Sequence, residues 1–330
     1  MRLNAANRSF FLLAATALVP FVLLGLLGCG VLSLIGYRLV EHGLAGLTDD
    51  GHDLRPALVF FAIVVGGAVL AARSVQRQLM ATRALEATVA DRTLPTPRTV
   101  ASAASAARVR IVVVEDSAPY SFTFGLWSPR VAVSSGLVSS TTAAELQSVL
   151  HHERYHVRNR DTAKVVIARA AVSAFFFLPA LRHLCDRYLC SRELAADRAA
   201  TRETNVASLA GALLVAAPGP AWTDVGAAAA LGGGVLEQRI EQLEAGTEPR
   251  LAQIPRLAST MTVLGVGALI GLFALTIAAA GVDVLAMDGS MPEGGGGALM
   301  TVLGGLGCTA AMTAAAAVLL RGATGQRATR

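Results

Sequence analysis

The chain is poor in charge, in lysine and in aromatic rings. Charged residues make up 15% of its 330 positions, Lys164 is the one lysine, and aromatics account for 5%. Soluble domains average about 25% charged and about 45–50% apolar residues. A chain with 54% hydrophobic residues and a mean hydropathy of +0.55 is therefore no simple soluble globule. Cysteine is scarce as well. Cys29 and Cys308 lie in apolar runs, Cys185 and Cys190 stand five apart, and no CxxC pair exists, which excludes a disulfide scaffold and a cysteine-type zinc site. The net charge of +5 comes almost wholly from arginine, with no basic run interleaved with aromatics. That pattern excludes direct nucleic-acid binding and fits a chain oriented in a bilayer.

Long apolar runs are what the chain has in quantity. Ser9 to Gly36 carries no charge over 28 positions, more than the ~20 residues a bilayer core needs. Its length exceeds the roughly 7–15 apolar residues of a cleaved signal, so it reads as an anchor, with Pro20 tolerated inside. Further spans are expected at 56–72, Leu257 to Gly281 and 298–320. The loops at 37–55 and 282–297 hold two arginines against seven acids, whereas Arg2, Arg8, Arg73, Arg77, Arg83, Arg250, Arg256 and Arg321 flank the opposite ends. The positive-inside rule then puts both termini and residues 73–256 in the cytoplasm, in a multi-pass plasma-membrane protein. Three parts follow: two spans in 1–84, a cytoplasmic domain in 85–256, and two spans with a short tail in 257–330.

Chemistry belongs to the middle part. Residues 85–107, rich in Ala, Thr, Ser and Pro, read as a linker. Arg108 to Val114 and Arg130 to Ser134 are β-branched runs suited to strands, with a shorter strand and turn over Phe122 to Pro129. Thr142 with Glu145 makes a capping box, which predicts a helix from about Ala143. That helix carries His152-Glu153-Arg154-Tyr155-His156, an HExxH sequence. Residues i and i+4 share a helix face, so both imidazoles can reach one zinc, with Glu153 placed to take a proton from water there. His151 is rotated away. A third ligand is expected downstream among His183, Asp186, Cys190 and Glu193. Glu193 is the best candidate, because Asp197 falls one helical turn below it and can accept from the far nitrogen of a ligand histidine.

This ensemble resembles the BlaR/MecR-like family of membrane zinc metallopeptidases, relatives of the HtpX and CAAX-prenyl proteases. The resemblance runs through Phe122 to Gly125, Pro129 to Leu137, His152 to Asp161 and Ser191 to Ala199. It implies His152, His156 and Glu193 as ligands of one zinc per chain, Glu153 as catalytic base and Asp197 as supporting carboxylate. The implied fold is a mainly α-helical polytopic membrane protein with a small α+β, zincin-like (gluzincin) protease domain. Only ten residues follow Leu320, so the penicillin-sensor domain of the antibiotic-sensing members is not expected.

Val165 to Leu181 is apolar apart from Arg169 and could pass for another span. A single crossing would put His156 and Glu193 on opposite sides of the bilayer. A helical hairpin over about 162–200, turning near Pro179, keeps them together, either as a membrane-associated re-entrant element or as a buried core helix. Val131, Ala132, Val133 and Ser134 form either an edge strand that takes an extended substrate peptide or an ordinary internal strand. The segment 205–245 reads as helical, with Leu236 to Leu243 amphipathic. The resemblance implies a protein or peptide substrate, either a cytosolic transcriptional repressor or membrane proteins in quality control. The competing class is a catalytically silent scaffold or transporter, against which stands the lack of acids inside the spans.

Overall fold

The computed structural model describes residues 5–42, 55–216, 229–230 and 235–279. The expected span at 298–320 and the loop at 282–297 lie outside the described residues. The chain divides into two compact units, one of Met1–Ala14, Ala71–Ser173 and Arg182–Ile254, the other of Ala15–Leu70, Ala174–Leu181 and Pro255–Arg330.

The second unit holds most of the apolar helices. Helix α1 covers Ala5–His42, α2 Arg55–Asp91, and a helix late in the chain Arg256–Ala279. Among the described residues, Ala6–Leu26 and Leu58–Asp91 are long and apolar enough to cross a bilayer, and Arg256–Leu272 is a shorter apolar helix. Their large side chains face outward: Leu18, Val19, Leu58, Val65, Val263 and Leu264 are all exposed. An apolar surface of that extent marks a face for a membrane or a protein partner. Inside this unit Phe60 is buried against Leu24, Val64 and Leu272. Gly67 faces the carbonyl of Ala174 so closely that a Cβ would sit 2.6 Å from its oxygen. The Ala180 N–H donates to Thr262 Oγ1 at 3.0 Å.

The first unit is built on a sheet. Its strands are β1 (Thr93–Leu94), β2 (Ile111–Val114), β3 (Ser121–Phe124), β4 (Arg130–Ser134) and β5 (Ala229–Ala230), in the order β1-β2-β4-β3-β5. β2 and β4 are parallel and the other pairs antiparallel. Side chains alternate across the sheet, as the two-residue period of a strand requires. Val131 and Val133 face one core with Val149 and Leu150, whereas Ala132, Phe122 and Phe124 face another with Leu85 and Val89 of α2. The first core is closed by α3 (Arg98–Ala107), by α5 (Ala143–Asn159) beyond the short α4 (Ser135–Ser140), and by α8 (Val206–Val215). Gly136, the second residue of α4, lies directly against the Ser117 carbonyl and leaves no room for a Cβ.

Three sequence expectations change here. Residues 85–107 are no linker: α2 runs on to Asp91 and α3 follows, because Leu85, Val89, Val100, Ala104 and Ala107 supply apolar faces for the two cores. Nor is Val131 to Ser134 a substrate strand. β4 pairs with β2 on one side and β3 on the other, so its backbone groups are already used and strand addition there is closed. The 205–245 segment is not wholly helical, since Ala229–Ala230 is extended on β3 between α8 and α9 (Leu236–Ala245). The capping box does form: Glu145 N–H reaches Thr142 Oγ1 at 3.3 Å, and Thr142 N–H reaches Glu145 Oε2 at 2.7 Å. Between α6 (Asp161–Ala174) and α7 (Pro179–Glu203) the chain turns at Phe175 to Leu178.

Candidate metal centre

His152, Glu153 and His156 lie on the sheet-facing side of α5, with 1%, 0% and 1% of their surface exposed. α7 contributes Glu193, which is also buried. The two Nε2 atoms stand 3.2 Å apart, and Glu193 Oε2 lies 3.4 Å from that of His152 and 3.7 Å from that of His156. Around a zinc ion with bonds of about 2.0–2.1 Å, tetrahedral ligand atoms are spaced roughly 3.3 Å from one another. The three donors therefore have the spacing of three corners of such a tetrahedron. Among the described residues this is the only trio of His, Cys, Asp or Glu close enough for one ion. His183, Asp186 and Cys190 stay outside it, and burial pushes the Cys190 thiol up to about 11, away from the thiolate a metal needs.

Each imidazole is aimed by its other nitrogen. His152 Nδ1 donates to Asp197 Oδ1 at 2.8 Å, and His156 Nδ1 donates to Asp161 Oδ2 at 2.7 Å. With both protons on Nδ1, the two Nε2 lone pairs and a carboxylate oxygen converge with no donor between them. Buried acceptors in that arrangement repel one another unless a cation sits among them. The residues fit a metal. The field of the site favours a cation: burial opposes charging either imidazole, yet Glu193 with Asp161 lifts His156 to about 10, and Asp197 with Glu193 raises His152, so without a metal a proton takes the place of the ion. Burial likewise opposes the Glu193 carboxylate, but His156, His152 and Arg192 hold it well below its ordinary range.

Several contributors escaped the sequence reading. Glu153 is clamped by β3, with Ser121 Oγ donating to Oε1 at 2.9 Å and Thr123 Oγ1 to Oε2 at 2.7 Å. The alternation Ser121-Phe122-Thr123-Phe124 was the available signal, a polar pair on one face of a strand otherwise aromatic. Arg239 of α9, 1% exposed, donates to Asp197 through Nε at 2.7 Å and Nη2 at 2.6 Å. Tyr188 Oη donates to Asp161 Oδ1 at 3.3 Å. Arg192, 8% exposed, brings Nε to 3.1 Å from Glu193 Oε1. That contact is too far off line to be a hydrogen bond, and Nε and Nη1 have no acceptor among the described residues.

The family model of the BlaR1 peptidase M56 matches residues 56–243, more than half of the chain and all of the side chains above. The chain belongs to the BlaR1 peptidase M56 family. This M56 chain is also similar to proteins named Protease HtpX homolog. One from Herminiimonas arsenicoxydans is 29% identical over 198 residues, covering 56% of this chain and 64% of that protein. Another from Janthinobacterium sp. (strain Marseille) is 30% identical over 178 residues, with 51% and 57% covered. Protease HtpX homolog 2 of Methanosarcina acetivorans reaches 39% identity over a shorter 72 residues. The chain thus spans under two thirds of the length of these relatives. A peptidase family, a metal-shaped trio of donors and membrane-capable helices occur together in one M56 chain.

Proposed function

We propose that this chain is a polytopic membrane zinc endopeptidase that hydrolyses peptide bonds at the cytoplasmic face. The observation that carries the reading is the convergence of three donor atoms, each imidazole oriented by its own carboxylate, beside a buried Glu153. His152, His156 and Glu193 would hold one zinc ion, with Asp197 in support. When bound, zinc supplies Lewis acidity and a water acidified toward neutrality.

Glu153 acts as the general base, taking a proton from the attacking water and delivering it to the leaving amine. Ser121 and Thr123 keep its two oxygens in place through that exchange. Negative charge building on the peptide carbonyl is met by Arg192, whose Nε and Nη1 make no hydrogen bond among the described residues and whose charge lies beside Glu193. Two other donors on α7 are engaged elsewhere, Tyr188 with Asp161 and Arg187 with the Ala252 carbonyl. The substrate backbone docks on β3 rather than β4. The two-residue strand Ala229–Ala230 now pairs with Phe122 and Thr123 on the outer edge of β3, so an extended peptide docks there by displacing it.

The domain is a small α+β unit of zincin (gluzincin) type, joined to the bilayer by its spans and by the α6–α7 hairpin. Arginine asymmetry supports cytoplasmic termini, and the substrate is a cytosolic repressor or a membrane protein under quality control. The deciding experiment uses the detergent-purified full chain, with zinc analysis and cleavage of an unstructured reporter protein. Wild type and Glu153→Gln should both hold one zinc per chain, with turnover falling at least ~10²-fold in the variant, and His156→Ala should lose the metal. A wild type without stoichiometric zinc, or equal turnover by Glu153→Gln, overturns the reading in favour of a scaffold or carrier. Proteomes of cells expressing wild type or Glu153→Gln then name the substrate. A cysteine placed at 288 should label from outside the cell, and one replacing the exposed Glu203 only after permeabilisation.

A further inference from the structure

The first turns of α1, up to Ala14, belong to the same compact unit as α5, most of α6 and most of α7. Their two faces differ. Ala6, Phe10 and Leu13 are buried at the i, i+4, i+7 spacing of one helix face, whereas Phe11 and Leu12 between them are exposed. The buried face has a partner within the unit, and the contacts identify it as the α6–α7 hairpin. Lys164 Nζ of α6 donates to Asn7 Oδ1 at 2.9 Å and stands 5.5 Å from the centroid of the Phe10 ring, within cation–π range. The Phe10 ring lies 5.2 Å from the ring of Tyr188 on α7, at the separation favoured by aromatic pairs. Ser191 Oγ already donates to the Arg187 carbonyl at 2.7 Å, so in its 3.1 Å contact with Ser9 Oγ the Ser9 hydroxyl is the donor.

These contacts meet at one carboxylate. Tyr188 Oη donates to Asp161 Oδ1, and His156 Nδ1 donates to Asp161 Oδ2. Lys164, one turn along α6, brings a positive charge near the same carboxylate. Phe10 therefore touches two groups that act on Asp161, one from each arm of the hairpin. The bond from Tyr188 is 3.3 Å, long for a hydroxyl donor, so a small displacement of the Tyr188 ring breaks it. Ordinary packing would need only an apolar neighbour for Phe10. Its neighbours are instead the side chains that hold the carboxylate aiming His156.

We propose that Phe10 is a positioning residue of the metal centre: the first turns of α1 hold Tyr188 and Lys164 in place against Asp161 and so set the direction of the His156 imidazole. The inference rests on the reading of His152, His156 and Glu193 as zinc ligands.

The test uses the full chain in detergent, first zinc-free and then zinc-loaded. Coupling between sites is reciprocal: if residues 5–14 help the ion to bind, the ion steadies residues 5–14. Amide hydrogen exchange over 5–14 should slow by about fivefold or more on zinc loading. Tyr188→Phe keeps the ring beside Phe10 and removes the hydroxyl that reaches Asp161. It should still bind zinc, more weakly, with exchange over 5–14 no longer responding to the metal. Phe10→Ala should lower zinc affinity by about fivefold or more. On the Tyr188→Phe background the same substitution should cost no more than about twofold, because the link it acts through is already gone. Val19→Ala, at an exposed position of the same helix, should leave zinc affinity unchanged. The exchange comparison needs no change at Phe10, so it decides the matter even where Phe10→Ala fails to fold. Exchange over 5–14 that ignores zinc, or that slows equally in Tyr188→Phe, overturns the proposal. So does an undiminished effect of Phe10→Ala on the Tyr188→Phe background. A wild type that binds no zinc overturns the ligand assignment and this inference together, whereas zinc bound with indifferent exchange overturns this inference alone. None of these readouts requires peptide hydrolysis.

Discussion

The two histidines do the same work in the trio and are held in opposite ways. His156 is aimed by Asp161, five residues further on, where α5 has just ended and α6 begins. His152 is aimed by Asp197, 45 residues away on α7, and Asp197 is gripped from behind by Arg239 of α9. The first arrangement is local and comes with the chain's own turn. The second exists only after three helices have assembled, and it buries a full ion pair to do so. The comparison teaches that orientation can be had cheaply from a neighbour, whereas assembly is sensed by a distant partner.

Breaking the distant arrangement should cost most. Asp197→Ala leaves the Arg239 guanidinium buried without its anion, a loss of about 3–5 kcal/mol, to be read as lowered thermal stability of the detergent-solubilised chain. Asp197→Leu with Arg239→Leu should recover much of that stability without recovering zinc. If the double variant is no more stable than the single one, Arg239 is not the source of the cost.

Zinc affinity sharpens the contrast. Arg239→Met frees Asp197 from its clamp, and Asp161→Asn weakens the acceptor of His156. Each should lower zinc affinity by about 10–100-fold, measured by competition with a chelating dye. Arg239→Met should lower stability by more than Asp161→Asn does. Equal destabilisation by both would erase the distinction between local and assembled anchors.

A pH series probes the pair without substitution. In metal-free protein the folded pKa of His156 is raised from 6.5 to about 10. Its contribution to stability is therefore complete below about 6.5 and lost as pH rises through about 10. The melting temperature of chelator-treated protein should fall between pH 7 and pH 10, and loading with zinc should flatten that dependence. A flat profile in both states would show that His156 holds no extra proton. The smallest effect belongs to the start of α5: Thr142→Ala should cost about 1 kcal/mol of stability and leave zinc affinity within about twofold, by the same two measurements.

The local features were the legible ones. HExxH needs only the helical repeat, the capping box only a three-residue spacing, and Glu193 with Asp197 only one more turn. Asp161 was overlooked because its partner lies across a helix break, where the helical repeat no longer predicts neighbours. Arg239 was hidden because an arginine in an amphipathic helix ordinarily faces water, and nothing local signals that it is 1% exposed. The place of β4 was illegible for a related reason. A β-branched run announces a strand, but whether partners occupy both edges depends on residues as distant as Ile111 and Ser121. Residues 85–107 misled through composition, since Ala and Ser serve a close helix–helix contact as readily as a linker.

Asp161 has one oxygen on His156 of α5 and the other on Tyr188 of α7. A single carboxylate thus bridges the helix that presents the imidazoles and the returning arm of the hairpin. Sliding that arm by an ångström must stretch one of the two bonds, and the ring it steers then loses its aim. The grip on the ion works as a gauge of the seating of the hairpin, written in the tilt of one imidazole.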